Sequence, residues 1–258
     1  MDSNLSGGRR MHRDYQGYDG GGGQDGWETE QGGAHVVSQA LPEERQAFLR
    51  RTYAHLSAAV LMCVAFIGLF LNSPLAEPVL NFMFSTNWLI ILALFIGASW
   101  LGDWMAAHVH SKPLQYLGLV VGVSAYGVLL TPMILVAQYQ IGSSVLLHAG
   151  LLTLIVFAGM TAVVFITGKD FSILRVGLAV GSLVALGAIV AGTLFNFSLG
   201  LGFSIAMVGL SAAMIVYQTS NMVHVYRTDQ HVAAALALFS SIGMLFWYIL
   251  RILMMSRD

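Results

Sequence analysis

The sequence predicts an all-α integral membrane protein, built as a bundle of seven spanning helices. Three observations carry that prediction. The 258 residues are 57% hydrophobic and 10% charged, with a mean hydropathy of +0.73, whereas a soluble domain carries about 25% charged residues. The charges crowd toward one end: eight of the 13 acidic and four of the 12 basic residues precede Phe48. The remainder breaks into seven apolar runs of about 20 residues, the length a helix needs to cross a bilayer core.

Residues 1–40 are low-complexity. The stretch "GYDGGGGQDGWETEQGG" cannot bury enough apolar area to offset its ordering entropy, so a disordered cytoplasmic tail is expected. Tyr15, Tyr18 and Trp27 are either contact points for a partner or stray aromatics of a linker. Residues 41–51, "LPEERQAFLRR", have Pro at a first helical position, Glu early and Arg late. They predict a short interfacial helix running into the first span, with Arg50 and Arg51 in the headgroup layer on the cytoplasmic side.

Residues 52–258 are expected to form the bundle. The spans fall at about 52–71, 87–107, 114–136, 144–167, 173–194, 199–222 and 231–254. Turn chemistry separates them, in "NSPLAEP", "HSKP", "QYQIGSS", "GKDFS", "NFS" and "YRTDQ". Several loops are only a few residues long, which makes consecutive helices antiparallel neighbours. No cleavable leader is expected before the first span, which is read as its own anchor. Gly118 with Gly122, and Gly177 with Gly181, are GxxxG pairs that let helix backbones approach, with Gly187 and Gly192 extending the second face. Cys63 is the only cysteine and reads as a small buried apolar side chain.

Orientation follows from lysine and arginine. The segment before the first span, the second loop (Lys112), the fourth (Lys169, Arg175) and the sixth (Arg227) carry them, while the first, third and fifth loops carry none. The N-terminus is therefore expected inside and the C-terminus outside. Arg251 and Arg257 then lie on the disfavoured side, which leaves a re-entrant seventh segment, broken at "SSIG" (240–243), as the alternative.

Polar residues inside the spans are the candidate site. Ser211, Gln218 and Asn221 share a stripe of the sixth span, and Ser241 and Tyr248 share one on the seventh. Facing each other, they would line a water or ion path, or else form an interhelical hydrogen-bond cluster. Asp103 is the one acidic residue inside a predicted span. It is either functional or a helix-end residue reaching the headgroups between Trp100 and Trp104. Arg251 has Trp247 and Met244 along its helix face, which favours snorkelling outward. The histidines are scattered at interfaces, and no convergent set of three or four zinc ligands is legible, so no metal and no cofactor is expected. HExxH, GxSxG and P-loop motifs are absent, so the chain reads as no enzyme. A net charge of −1 suggests no nucleic-acid partner.

At "MTAVVFITGKDFSILRVGL" (Met160–Leu178) the chain resembles the Bax-inhibitor/YccA family of multi-pass membrane proteins. The turn Lys169, Asp170, Phe171, Ser172 carries the resemblance. "FLRRTYAHLSAAVL", Lys112–Pro113 with Pro132, "YQTSNMVH" and the closing "LFWYILRILMMSRD" support it over about residues 44–258. The "TSN" and "SRD" lean toward the bacterial YccA branch. The resemblance implies a seven-helix fold around a central C-terminal helix and a role in stress or cell-death control. For the YccA branch it implies a link to the FtsH membrane protease, as slow substrate and modulator, through the N-terminal tail. It also places the chain in the bacterial cytoplasmic (inner) membrane.

The resemblance also implies that some members are pH-dependent calcium leaks, in which aspartates of helices six and seven share a proton and can pair with a basic residue of helix two. Here the helix-six position is Gln218 and the helix-seven position is Ser241, with Ser240 beside it. No Lys or Arg lies between Arg51 and Lys112 to serve as the latch. Gln and Ser hydrogen-bond but cannot titrate or neutralise a divalent ion. The implied function is thus a stress-related regulator acting with FtsH, with a calcium or proton leak as the alternative.

Overall fold

The computed structural model describes residues 35–256. Of the disordered tail expected at 1–40, residues 1–34, with Tyr15, Tyr18 and Trp27, lie outside the described residues, as do Arg257 and Asp258; residues 35–40 are ordered instead, with a single 3-10 turn at Val37–Gln39, because hydrogen bonds to the chain at Tyr226 and Thr228 hold them.

Eight α-helices follow in order: α1 Pro42–Leu71, α2 Ala76–Ser85, α3 Trp88–Ala106, α4 Lys112–Gln140, α5 Ser144–Thr167, α6 Leu174–Leu194, α7 Leu201–His224 and α8 His231–Met255. Seven are long and apolar enough to cross a membrane. α1 starts with Pro42 and with Glu43 and Glu44 in its first turn, where fixed φ and negative charge suit a helix N-terminus. The short helix expected at 41–51 and the first span form one continuous helix. No Gly or Pro interrupts the chain between Pro42 and Gly68, so the polar turns run straight into the first span as one 30-residue helix.

α2 was not expected. It occupies ten residues between the first two spans, with Pro78 in its first turn, where a missing N–H costs nothing. It is too short to cross. α3 is capped by Asn87, whose Oδ1 accepts from the Leu89 N–H at 2.9 Å. α5 ends at Gly168 with φ +60°, a left-handed stop that Gly adopts without a Cβ clash. That stop frees Lys169–Ser172 to turn back toward the bundle.

α8 is the hub, packing on α1, α3, α4, α5 and α7. Of its most apolar stretch 61% is buried, against 11% for α6. Its buried residues, Leu236, Leu238, Leu245 and Leu250 among them, point to more than one side, as an all-round apolar helix must. The expected central C-terminal helix is therefore present. It runs unbroken through Ser240–Gly243, so the break expected there for a re-entrant segment is not present.

Of the GxxxG faces, the first is a true seam. A Cβ on Gly118 would sit 2.5 Å from the Ala106 backbone N and 2.6 Å from the Gly102 carbonyl, so α3 and α4 touch through backbone. The second face behaves otherwise. Gly177 and Gly187 have nothing within 4 Å of a Cβ, and only Gly181 and Gly192 make contact.

Candidate functional site

The two sequence segments that carried the resemblance meet in space. The α5–α6 turn docks on the last turns of α7 through Ser220, which is fully buried. The Phe171 N–H donates to Ser220 Oγ at 2.9 Å, and that hydroxyl donates toward Asp170 Oδ1 at 3.4 Å. The Ser172 N–H donates to the same carboxylate oxygen at 2.9 Å. That bond is the main reason the Asp170 carboxyl is held below its usual range, helped by the nearby His224 and Ser220. Lys169 and Ser172 are exposed at the surface of the turn.

Asp170, Ser220 and His224 are not arranged as a catalytic triad. His224 Nδ1 lies 3.0 Å from the Ser220 carbonyl oxygen and 3.4 Å from Ser220 Oγ. A carbonyl only accepts, so Nδ1 carries the proton there and cannot take one from the hydroxyl. Ser220 ties the turn to α7.

A separate cavity of about 380 Å³ gathers the polar residues of the bundle. Asp103 of α3 lines it together with Gln218 of α7, Ser240 and Ser241 of α8, Tyr126 of α4, and Tyr226 and Gln230 of the α7–α8 loop. Asp103 is exposed at the open edge, Gln218 half-buried and Ser241 buried. The Ser240 and Ser241 hydroxyls donate to their own helix, at Leu236 O (3.0 Å) and Ala237 O (3.2 Å). Their lone pairs are therefore left for the cavity, which makes it a lining rich in acceptors. Burial pushes the Tyr226 hydroxyl up to about 12, with the Asp103 charge adding to the shift, so at the mouth it remains a neutral donor.

The proposed facing stripes are thus only partly right. Gln218 and Ser241 come together, and Ser240, the neighbouring position, joins them. Ser211 is buried but donates to Met207 O at 2.8 Å. Tyr248 packs edge-on against Phe203 and lines a second cavity. The Asn221 carbonyl accepts from the Val225 and Tyr226 N–H groups in closing α7. Asp103 belongs to the site, on the cavity side of α3, although sequence alone left it apart. Tyr126, Tyr226 and Gln230 were missed; a Tyr in mid-span ("SAYG") was the available signal for the first.

The α7–α8 loop, which lends Tyr226 and Gln230 to this cavity, is strapped by the segment before α1. Val37 is fully buried, its N–H donates to Tyr226 O at 3.0 Å, and the Thr228 N–H donates to His35 O at 3.0 Å. Val36 and Arg227 form an isolated antiparallel bridge. Nearby, His55 and His231 stack edge to face with centroids 4.9 Å apart.

The second cavity, about 670 Å³, occupies the other half of the bundle and meets the first at Tyr126 and Met244. Arg251 lines it. The guanidinium does not snorkel outward as expected: Nη2 donates to Leu199 O at 2.6 Å, because the α6–α7 turn lies beside the last turns of α8.

Residues 45–258 match the family model described as Inhibitor of apoptosis-promoting Bax1. The chain belongs to the Bax-inhibitor family. It is 29% identical to mouse Protein lifeguard 4 over 84% of this chain and 88% of that one. It is also 29% identical to Bax inhibitor 1 of Schizosaccharomyces pombe, over 86% of this chain and 81% of that one. An uncharacterized protein of Pseudomonas aeruginosa is 38% identical over 43% of this chain, a match that spans 50% of its own length. Family membership and seven apolar helices make this a multi-pass membrane protein in contact with the bilayer.

Proposed function

We propose that this Bax-inhibitor family member is a non-catalytic leak for protons or small monovalent cations, seated at Asp103, in the bacterial cytoplasmic membrane. The observation that supports it is the meeting of Asp103 with Gln218, Ser240 and Ser241 around one cavity. A carboxylate inside a membrane bundle is a functional residue by default. One carboxylate among neutral oxygens matches a single positive charge. A calcium site would want more charge and six to eight oxygens, so a calcium leak is the weaker form of the reading.

Flux into liposomes holding the purified protein tests it. Asp103→Asn keeps the shape and removes the charge, and it is expected to cut proton or sodium flux about tenfold, the effect of losing ~1.4 kcal/mol. Gln218→Leu is expected to lower it as well. Flux unchanged in Asp103→Asn, or none above empty liposomes, ends the proposal.

A second reading is supported by the strap. We propose that the N-terminal tail, cytoplasmic by the lysine and arginine pattern, engages an FtsH-type membrane protease, and that the protein is a stress-related substrate or modulator of it. The strap at Val36–Val37, which follows that tail in sequence, is bonded to the α7–α8 loop, and that loop lends Tyr226 and Gln230 to the Asp103 cavity, so a pull on the tail is transmitted to that loop. Removing residues 1–34 while keeping the strap is expected to abolish co-purification with the protease and slow turnover, with thermal unfolding unchanged. Unaltered turnover would remove this reading and leave the first standing.

A further inference from the structure

We propose that the crevice between α3 and α6 binds the acyl chain of an anionic lipid whose head group is held by Arg251. α3 and α6 barely touch, and between them lies the cavity of about 670 Å³. Its walls include Trp88 and Phe95 of α3, Ile189 of α6, Met207 of α7, and Met244 and Trp247 of α8. From Met244 to Arg251 the slot runs seven residues along α8, about 10 Å of helix. Ile96 and Leu186 line it and are also exposed, so the slot opens sideways, where a helix in a membrane meets lipid.

Arg251 supplies the head-group end. It is half-buried, and one N–H is satisfied by Leu199 O. A guanidinium carries five donors in a planar fork, so four have no partner among the described residues. Among the described residues the ion pair present is Arg227 with Asp229, and no carboxylate lies within pairing distance of Arg251. A charge left in apolar surroundings is costly unless paired. A phosphate or carboxylate fits the fork in two parallel bonds. Ser198 lines the same end and offers a hydroxyl to the same head. A free anion would satisfy Arg251 but leave the apolar slot empty, whereas an anionic lipid fills both.

The test is native mass spectrometry of the full-length protein released from detergent. It is titrated with phosphatidylglycerol, with phosphatidylcholine of the same chains, and with glycerol phosphate as the head group alone. Phosphatidylglycerol is expected to be retained about tenfold more than phosphatidylcholine, the weight of a charge-assisted hydrogen bond, with glycerol phosphate not retained. Arg251→Gln is expected to erase the preference. Ile189→Trp, which fills the slot and leaves the charge, is expected to lose both lipids. Equal retention of the two lipids, an unaltered preference in Arg251→Gln, or retention of glycerol phosphate to the same extent overturns the proposal. If Arg251→Gln fails to fold, the two lipids on the wild-type protein and Ile189→Trp decide it.

Discussion

Ser220 shows how one hydroxyl can hold two distant segments together. Its oxygen accepts from the Phe171 N–H, and its proton points to Asp170. Ser220→Ala leaves that N–H without its partner, a loss of about 1–3 kcal/mol. Thermal unfolding in detergent should register it, and hydrogen exchange should rise at Phe171. Ser240→Ala is the control, because that hydroxyl donates to Leu236 O of its own helix and ties no loop to the bundle, so its removal is expected to cost under about 1 kcal/mol. Equal effects of the two substitutions would count against the tether. Asp170 gives the tether a pH dependence of known sign. Its carboxyl is depressed in the fold, chiefly by the Ser172 N–H. A depressed group contributes above its unfolded pKa and loses that contribution as pH falls through its folded one. The turn is therefore expected to hold at neutral pH and loosen only in acid, below about pH 4. At this scale the sequence grouped Gln218 with Ser241 but left Asp103 apart. Helical spacing relates residues on one helix, whereas Asp103 reaches the others only because α3 and α7 flank α8. Arg251 was misread for the same reason: its own helix face says nothing of where the Leu199 carbonyl lies.

Among elements, the long helices were legible because a run of about 20 apolar residues has few other fates. α2 was hidden by the prolines of "NSPLAEP", which read as a turn, although Pro78 is harmless in a first turn. The strap was hidden by the composition around it. A few residues after a glycine-rich tract carry no periodicity, and only burial of Val37 against the α7–α8 loop reveals them. Because that loop supplies Tyr226 and Gln230 to the Asp103 cavity, the strap and the cavity mouth should move together. Val37→Asp puts an unpaired carboxylate into an apolar site, which detaches the strap before it is tolerated. Exchange at Tyr226 and limited proteolysis near Gln39 are expected to increase, and liposome flux with them. Adding Asp103→Asn should return the flux to background. A detached strap with unchanged flux would separate the two features.

Across the whole molecule, the two cavities place Asp103 and Arg251 at opposite ends of one bundle, meeting only at Tyr126 and Met244. An acceptor-rich cavity and a cationic one, adjoining at Tyr126 and Met244, serve the two proposed roles only if they open toward different membrane faces. That in turn depends on α8 crossing completely. Its 25 residues make about 37 Å of unbroken helix, more than the ~30 Å of hydrocarbon to be crossed. Placing Asp103 toward the cytoplasm rests on the lysines and arginines of the even-numbered loops. Two exposed serines, Ser38 and Ser256, allow a direct measurement. With the buried Cys63 replaced by Ala, Ser38→Cys and Ser256→Cys are each labelled with a membrane-impermeant maleimide on intact and opened cells. Ser256→Cys is expected to react on intact cells and Ser38→Cys only after opening. Labels on the same face would mean that the seventh apolar helix does not cross. Labels on opposite faces but reversed would keep the bundle and turn the Asp103 mouth outward, so a cytoplasmic partner of the tail would then be impossible.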